Sequence, residues 1–137
     1  MSYNRILFLA SDAYMSDERL ARLISRTFGA DKEARIVIQG KRIEVRWENW
    51  SLRVYYESGP DVRKESQEIA FGYASQREDR GELALCDKWI TIASDSDYDM
   101  KHFNHFVFLL QDLEEHFPGS VLFVPEEGTF FDAGEFN

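Results

Sequence analysis

The sequence predicts an α+β fold: three helices packed mainly on one face of a largely antiparallel sheet, in the order β-α-β-β-β-α-β-α-β-β. Three observations carry this. Residues 35–57 alternate apolar and polar side chains across two tight-turn signals, the pattern of an antiparallel meander. Three other segments repeat their apolar residues at helical spacing. A chain of 137 residues with 44% hydrophobic side chains has enough material to bury one core without disulfides, so 1–137 is read as a single globular domain.

Ile6 to Ala10 is a short, continuous apolar run that suits a buried strand. Ser16 can cap a helix whose Leu20, Leu23, Ile24 and Phe28 share a face, with Gly29 where it should stop and Arg19, Arg22 and Arg26 in solvent. In the meander, two-residue turns at Gly40-Lys41 and Glu48-Asn49 each contain a residue that tolerates positive φ. The first turn pairs Ile38 with Ile43 and Ile36 with Val45. The second pairs Trp47 with Trp50, Val45 with Leu52 and Ile43 with Val54, all on one face, which Tyr56 extends. A slip of one residue would turn the whole set over, so two independent turns that agree fix the register. The opposite face carries Arg35, Val37, Arg42, Glu44, Arg46, Ser51, Arg53 and Tyr55, with Glu44 across from Arg53 and no carboxylate directly across from Arg35, Arg42 or Arg46.

A second helix is expected from Pro60-Asp61, with Asp61 as its cap and Val62, Ser66, Ile69 and Tyr73 along one side. Residues 75–82 are charged and read as a solvated loop, the most mobile stretch of the chain. Trp89 to Ala93 reads as a buried strand, and an acidic loop, 94–99, follows it. The third helix runs from about Met100 to Phe117, with Phe103, Phe106, Val107, Leu110, Leu113 and Phe117 as its core face and Pro118-Gly119 as its stop. Val121–Val124 and Thr129–Phe131 close the chain as a hairpin across 125–128. There is no internal repeat, linker or low-complexity segment.

Charge is unevenly distributed. Residues 94–137 hold ten carboxylates against the single cation Lys101, a balance of −9, whereas residues 1–93 carry fifteen charges of each sign. A field of one sign steers association with cations and basic surfaces. A pI of about 4.8 speaks against nucleic acid as a partner. The N-terminal apolar run of five residues is too short for a signal-peptide core, and no stretch approaches the ~20 apolar residues of a membrane span. The single cysteine, Cys86, has no internal partner for a disulfide, which fits a cytoplasmic setting.

Catalytic signatures are missing from the sequence. Neither G-x-G-x-x-G nor G-x-x-x-x-G-K-[ST] occurs, there is no G-x-S-x-G elbow, and Cys86 reads as a small buried residue. No enzyme activity and no cofactor are expected. Asp95-Ser-Asp97-Tyr-Asp99 resembles the front of a calcium loop, but the sixth position is Met100 and the twelfth Phe106, where glycine and glutamate are required. Helix capping accounts better for these acids. His102, His105 and His116 lie with Asp112 on one flank of the last helix, a spacing that could offer imidazoles to a transition metal if a second element contributed.

Two surfaces are candidates for a partner. The first joins Asp95, Asp97, Tyr98, Asp99, Phe108, Asp112, Glu115, Glu126 and Glu127, with Glu114, Glu135 and Phe136 nearby, as aromatics set among acids. The second is the meander's outer face with Arg35, Arg42, Arg46, Arg53 and Tyr55. In size and charge the chain is similar to immunity and inhibitor proteins that neutralise basic toxins such as nucleases, a likeness of composition that carries no motif. The reading is therefore a non-enzymatic module that holds a basic protein partner through its acidic last third. A metal- or small-ligand protein using the histidine flank is the alternative. A third reading is a self-associating structural subunit that sets its arginine face against the acidic end of another copy.

Overall fold

The computed structural model describes residues 2–132. Its elements are β1 (Arg5–Phe8), α1 (Asp17–Phe28), β2 (Arg35–Gln39), β3 (Arg42–Trp47), β4 (Trp50–Ser58), α2 (Pro60–Tyr73), α3 (Arg80–Ala84), β5 (Lys88–Ser94), α4 (Phe103–His116), β6 (Val121–Val124) and β7 (Thr129–Asp132). The strands form one sheet in the order β2-β3-β4-β5-β1-β6-β7, and every neighbouring pair is antiparallel. The fold is α+β, and every meander pair expected from the two turns is present, from Ile38 with Ile43 to Trp47 with Trp50.

The helices lie on both faces of the sheet, not mainly on one. Along β1, β5 and β6 successive side chains point to opposite faces. Leu7, Ile90 and Leu122 join α1 and α4 in one core, together with Ile43, Val45, Leu52 and Val54 of the meander. Phe8, Trp89, Val121 and Phe123 join Val62 and Ala70 of α2 and Leu83 of α3 in a second core. The physical reason is the sequence of the central strands: both Leu7 and Phe8 are fully buried, so each face of β1 needs a cover. Each large side chain so buried contributes about 1.5–3 kcal/mol relative to exposure.

Local chemistry accounts for the helix ends, with two corrections. The Ser16 hydroxyl accepts the Arg19 N–H at 3.1 Å and caps α1. At α2 the cap residue is Gly59, at φ 117°, and no side chain caps it; Pro60 opens the first turn and Asp61 stands within it. Proline presets the first helical φ, so the boundary falls one residue before Pro60 and leaves Asp61 acting through the helix dipole. The charged stretch 75–82 is likewise not all loop. It runs into α3, whose Leu83 is buried, and Arg77 ties it down through two bonds to Asp79 (2.8 and 3.0 Å) and one to Asp132 (2.5 Å). Among the described residues, no helix is long and apolar enough to cross a membrane.

Candidate functional site

Strand directions decide which loops meet. β2, β4, β1 and β7 begin at the end of the sheet where β3, β5 and β6 finish. Residues 31–34, 48–49, 95–102 and 125–128 therefore gather at that end. This adds Glu33 and Glu48, both exposed, to Asp95, Asp99, Glu126 and Glu127. The sequence placed neither in the acidic set, because both belong to the electroneutral part of the chain. Conversely, Asp112 and Glu115 are carried away along α4, where nine residues beyond Phe103 amount to roughly 13 Å. Asp112 is engaged there by the Thr27 hydroxyl at 2.6 Å, and Glu114 is buried. Phe108 is exposed on α4. Glu135 and Phe136 lie outside the described residues.

The 94–99 loop divides its three aspartates between support and display. Asp97 is buried, at 3% exposure, and is not a surface carboxylate. It accepts the Tyr3 hydroxyl at 2.7 Å and the His102 N–H at 3.1 Å, which caps the approach to α4 as helix-end chemistry requires. Asp95 accepts the Ser51 N–H and hydroxyl, each at 3.1 Å, and the Arg53 guanidinium at 2.9 Å. Partial burial works against its charge, but the Arg53 and Ser51 bonds outweigh that and hold the carboxyl below the ordinary carboxylate range. Beyond these anchors the chain displays Tyr98 at 89% exposure, with Asp99 and Met100 also exposed. Met100 has φ 57°, a left-handed conformation that costs a non-glycine residue on the order of 1 kcal/mol.

Beside this loop the histidines pair with the tryptophans of the β3–β4 hairpin. His105 stacks on Trp47 with ring centroids 4.1 Å apart, and His102 stacks on Trp50 at 4.6 Å. The two imidazoles meet through their Nδ1 atoms at 3.2 Å. The Trp47 indole N–H donates to Asp31 Oδ2 at 3.0 Å, and the same oxygen lies 3.6 Å from His105 Nε2. That bond from Trp47 leads the causes that hold Asp31 below its ordinary range. Burial, then repulsion from His102, pushes the His105 imidazole below its ordinary value, against the attraction of Asp31. The four residues of the sequence-expected histidine flank do not converge. His116 Nδ1 donates to the Asp112 carbonyl at 2.8 Å, since a carbonyl can only accept, far along α4 from the His102–His105 pair. Among the described residues, no three His, Cys, Asp or Glu side chains close on a common point suited to a metal.

The arginine face is partly self-neutralised. Glu44 stands across from Arg53 in register, yet its carboxylate reaches along its own strand to Arg46 (2.6 Å) and Arg42 (3.4 Å). So Arg42 and Arg46 do have a carboxylate, and Arg53 takes Asp95 instead. Residues two apart on a strand share a face, so Glu44 meets Arg42 and Arg46 without standing directly across from either. Arg35 is exposed and Tyr55 is half-buried. Cys86 bonds the Lys88 and Leu9 carbonyls through Sγ and lines a cavity of about 400 Å³ with Leu83, Leu85 and Val121. Burial pushes its thiol up, which disfavours the reactive thiolate. No family model, curated protein or solved structure is significantly similar to the chain.

Proposed function

We propose that this protein is a non-enzymatic protein-binding module whose acidic end of the sheet receives a basic protein partner, with Tyr98 as the contact anchor. One observation supports this above others: Tyr98 and Asp99 stand exposed directly after two aspartates, Asp95 and Asp97, that are fixed to the body. A displayed aromatic on a loop already held in place loses little freedom on binding, and tyrosine is a favoured hot-spot residue. Exposed Glu33, Glu48 and Glu127 at the same end favour a cationic surface and disfavour acidic ones, while Glu126 is already matched by Arg5 at 3.3 Å. This is the physical role of an immunity- or inhibitor-like protein, and a reducing compartment such as the cytoplasm suits its single thiol.

The test uses the protein as bait in lysate of its parent cell, alongside a Tyr98→Ala/Asp99→Asn variant. A basic protein retained by the parent chain, released by the variant and eluted by about 0.5 M salt supports the reading, because screening at that strength removes long-range attraction. Capture that is indifferent to both the substitutions and the salt overturns it.

A further inference from the structure

We propose that His102 and His105 form a two-histidine site for a divalent transition metal of the zinc, nickel or copper class. The site is independent of partner binding by Tyr98. Its first support is distance. With metal–nitrogen bonds of about 2.0–2.1 Å, two nitrogens 3.2 Å apart subtend roughly 100° at a shared ion, between octahedral and tetrahedral values. Both nitrogens are Nδ1 atoms, and both rings are held flat against an indole, so the pair is fixed before any ion arrives.

The second support lies behind the ring of His105. A metal-bound imidazole commonly turns its other N–H toward a carboxylate, which sets the tautomer. Asp31 occupies that place, 3.6 Å from His105 Nε2, and is itself oriented by the Trp47 indole. At this distance the carboxylate acts through its charge and not through a hydrogen bond, and it favours the tautomer of His105 with the proton on Nε2 and the lone pair on Nδ1. Without metal, His102 shares its Nδ1 proton with that lone pair. On binding, that proton moves to His102 Nε2, both Nδ1 atoms become donors, and no net charge is lost from the pair.

Third, there is room. A cavity of about 150 Å³ opens on both imidazoles and is lined by Glu33, Glu48, Asn49 and Lys101. Lys101 opposes a cation, whereas Glu33 and Glu48 attract one, and the net field of this end of the molecule is negative. No third protein ligand closes on the pair among the described residues, so water or an incoming donor fills the remaining positions. The site is thus open, with the modest affinity of two protein ligands.

The test titrates nickel(II) and copper(II) into protein carrying no affinity tag. Trp47 and Trp50 stack on the two ligands, so their fluorescence should be quenched with one-to-one stoichiometry and half-saturation below about 100 µM. His102→Gln and His105→Gln should each weaken binding by about tenfold or more, and His116→Gln should leave it within about twofold. Copper(II) spin resonance on the unmodified chain gives a second reading, expected to carry hyperfine structure from two imidazole nitrogens. Quenching absent up to about 1 mM, or equal in the His102 and His105 variants, overturns the assignment, as does a copper spectrum without nitrogen couplings.

Discussion

The Tyr3 hydroxyl donates to a carboxylate oxygen of Asp97 at 2.7 Å across 94 positions of sequence, joining the N-terminal segment to the loop before α4. The same phenol stacks on Phe106 with centroids 4.5 Å apart, and the Tyr3 N–H donates to the Ser94 hydroxyl at 2.7 Å. Tyr3→Phe keeps the stacking and removes only the charge-assisted bond. Asp97 would still accept the His102 N–H, so the loss should be about 1–3 kcal/mol in a urea titration. Burial first, then the bond to Asp97, raises the Tyr3 phenol well above its ordinary value. The folded state therefore holds this proton more tightly than the unfolded chain, where tyrosine titrates near pH ~10. The linked stability is fully present below that pH and declines as pH rises above it. In Tyr3→Phe this alkaline decline should shrink.

At low pH one of the contributing pairs lies on the other side of the sheet. The Arg77 guanidinium bonded to Asp79 holds that carboxyl below the usual carboxylate range. A depressed carboxylate stabilises the fold above its unfolded value, near pH ~4, and the contribution disappears as pH falls through the lower folded value. Asp79→Asn should flatten thermal stability against pH below about pH 4. At pH 7 it should cost at most about 1 kcal/mol, because the pair is partly exposed.

The parts of this fold that can be read from sequence are those specified locally. The meander register follows from Gly40, Asn49 and a period of two, and needs no knowledge of the rest of the chain. Which side of the sheet a helix covers is not local. The apolar stripe of α2 demands burial but does not say where, and only the burial of both Leu7 and Phe8 shows that two covers are needed. Helix α3 spans five residues, too few for a period to appear. Tyr73 falls on the side expected to be buried, yet it is exposed and meets the hairpin instead, with its ring 5.4 Å from Phe123. The same division holds at the site. Trp47 with Trp50 is legible as a cross-strand pair and His102 with His105 as helix neighbours, but their stacking is a tertiary event that neither segment encodes. Glu33 and Glu48 join the acidic end only through strand order.

Two glycines with similar backbones separate conformational cost from crowding. Gly40 has φ 60° and nothing within 4 Å of where a Cβ would stand; Gly128 has φ 67°, and its added Cβ would lie 2.8 Å from the Tyr73 ring. Gly40→Ala should cost about 1–2 kcal/mol, the left-handed penalty alone. Gly128→Ala should cost about 1 kcal/mol more, since the ring must shift. In a Tyr73→Ala background the excess should vanish and the two glycines should become equivalent, which a double-mutant cycle measures directly.

The two faces of β1 provide the sharpest check on a sheet buried from both sides. Leu7 belongs to the core beneath α1 and α4, and the next residue, Phe8, to the core beneath α2 and α3, where its ring meets Trp89 at 5.4 Å and Phe130 at 6.0 Å. Leu7→Ala should destabilise by about 2–5 kcal/mol and Phe8→Ala by about 3–5 kcal/mol, both from lost burial and the cavity left behind. Their local signatures should differ even where the totals agree. Under native conditions, amide exchange in Leu7→Ala should accelerate first in α1 and α4, and in Phe8→Ala first in α2 and α3, because each cavity loosens the helices that cover it. Acceleration of all four helices alike by either substitution would mean that the sheet transmits the loss through its full thickness and that the two cores open as one unit.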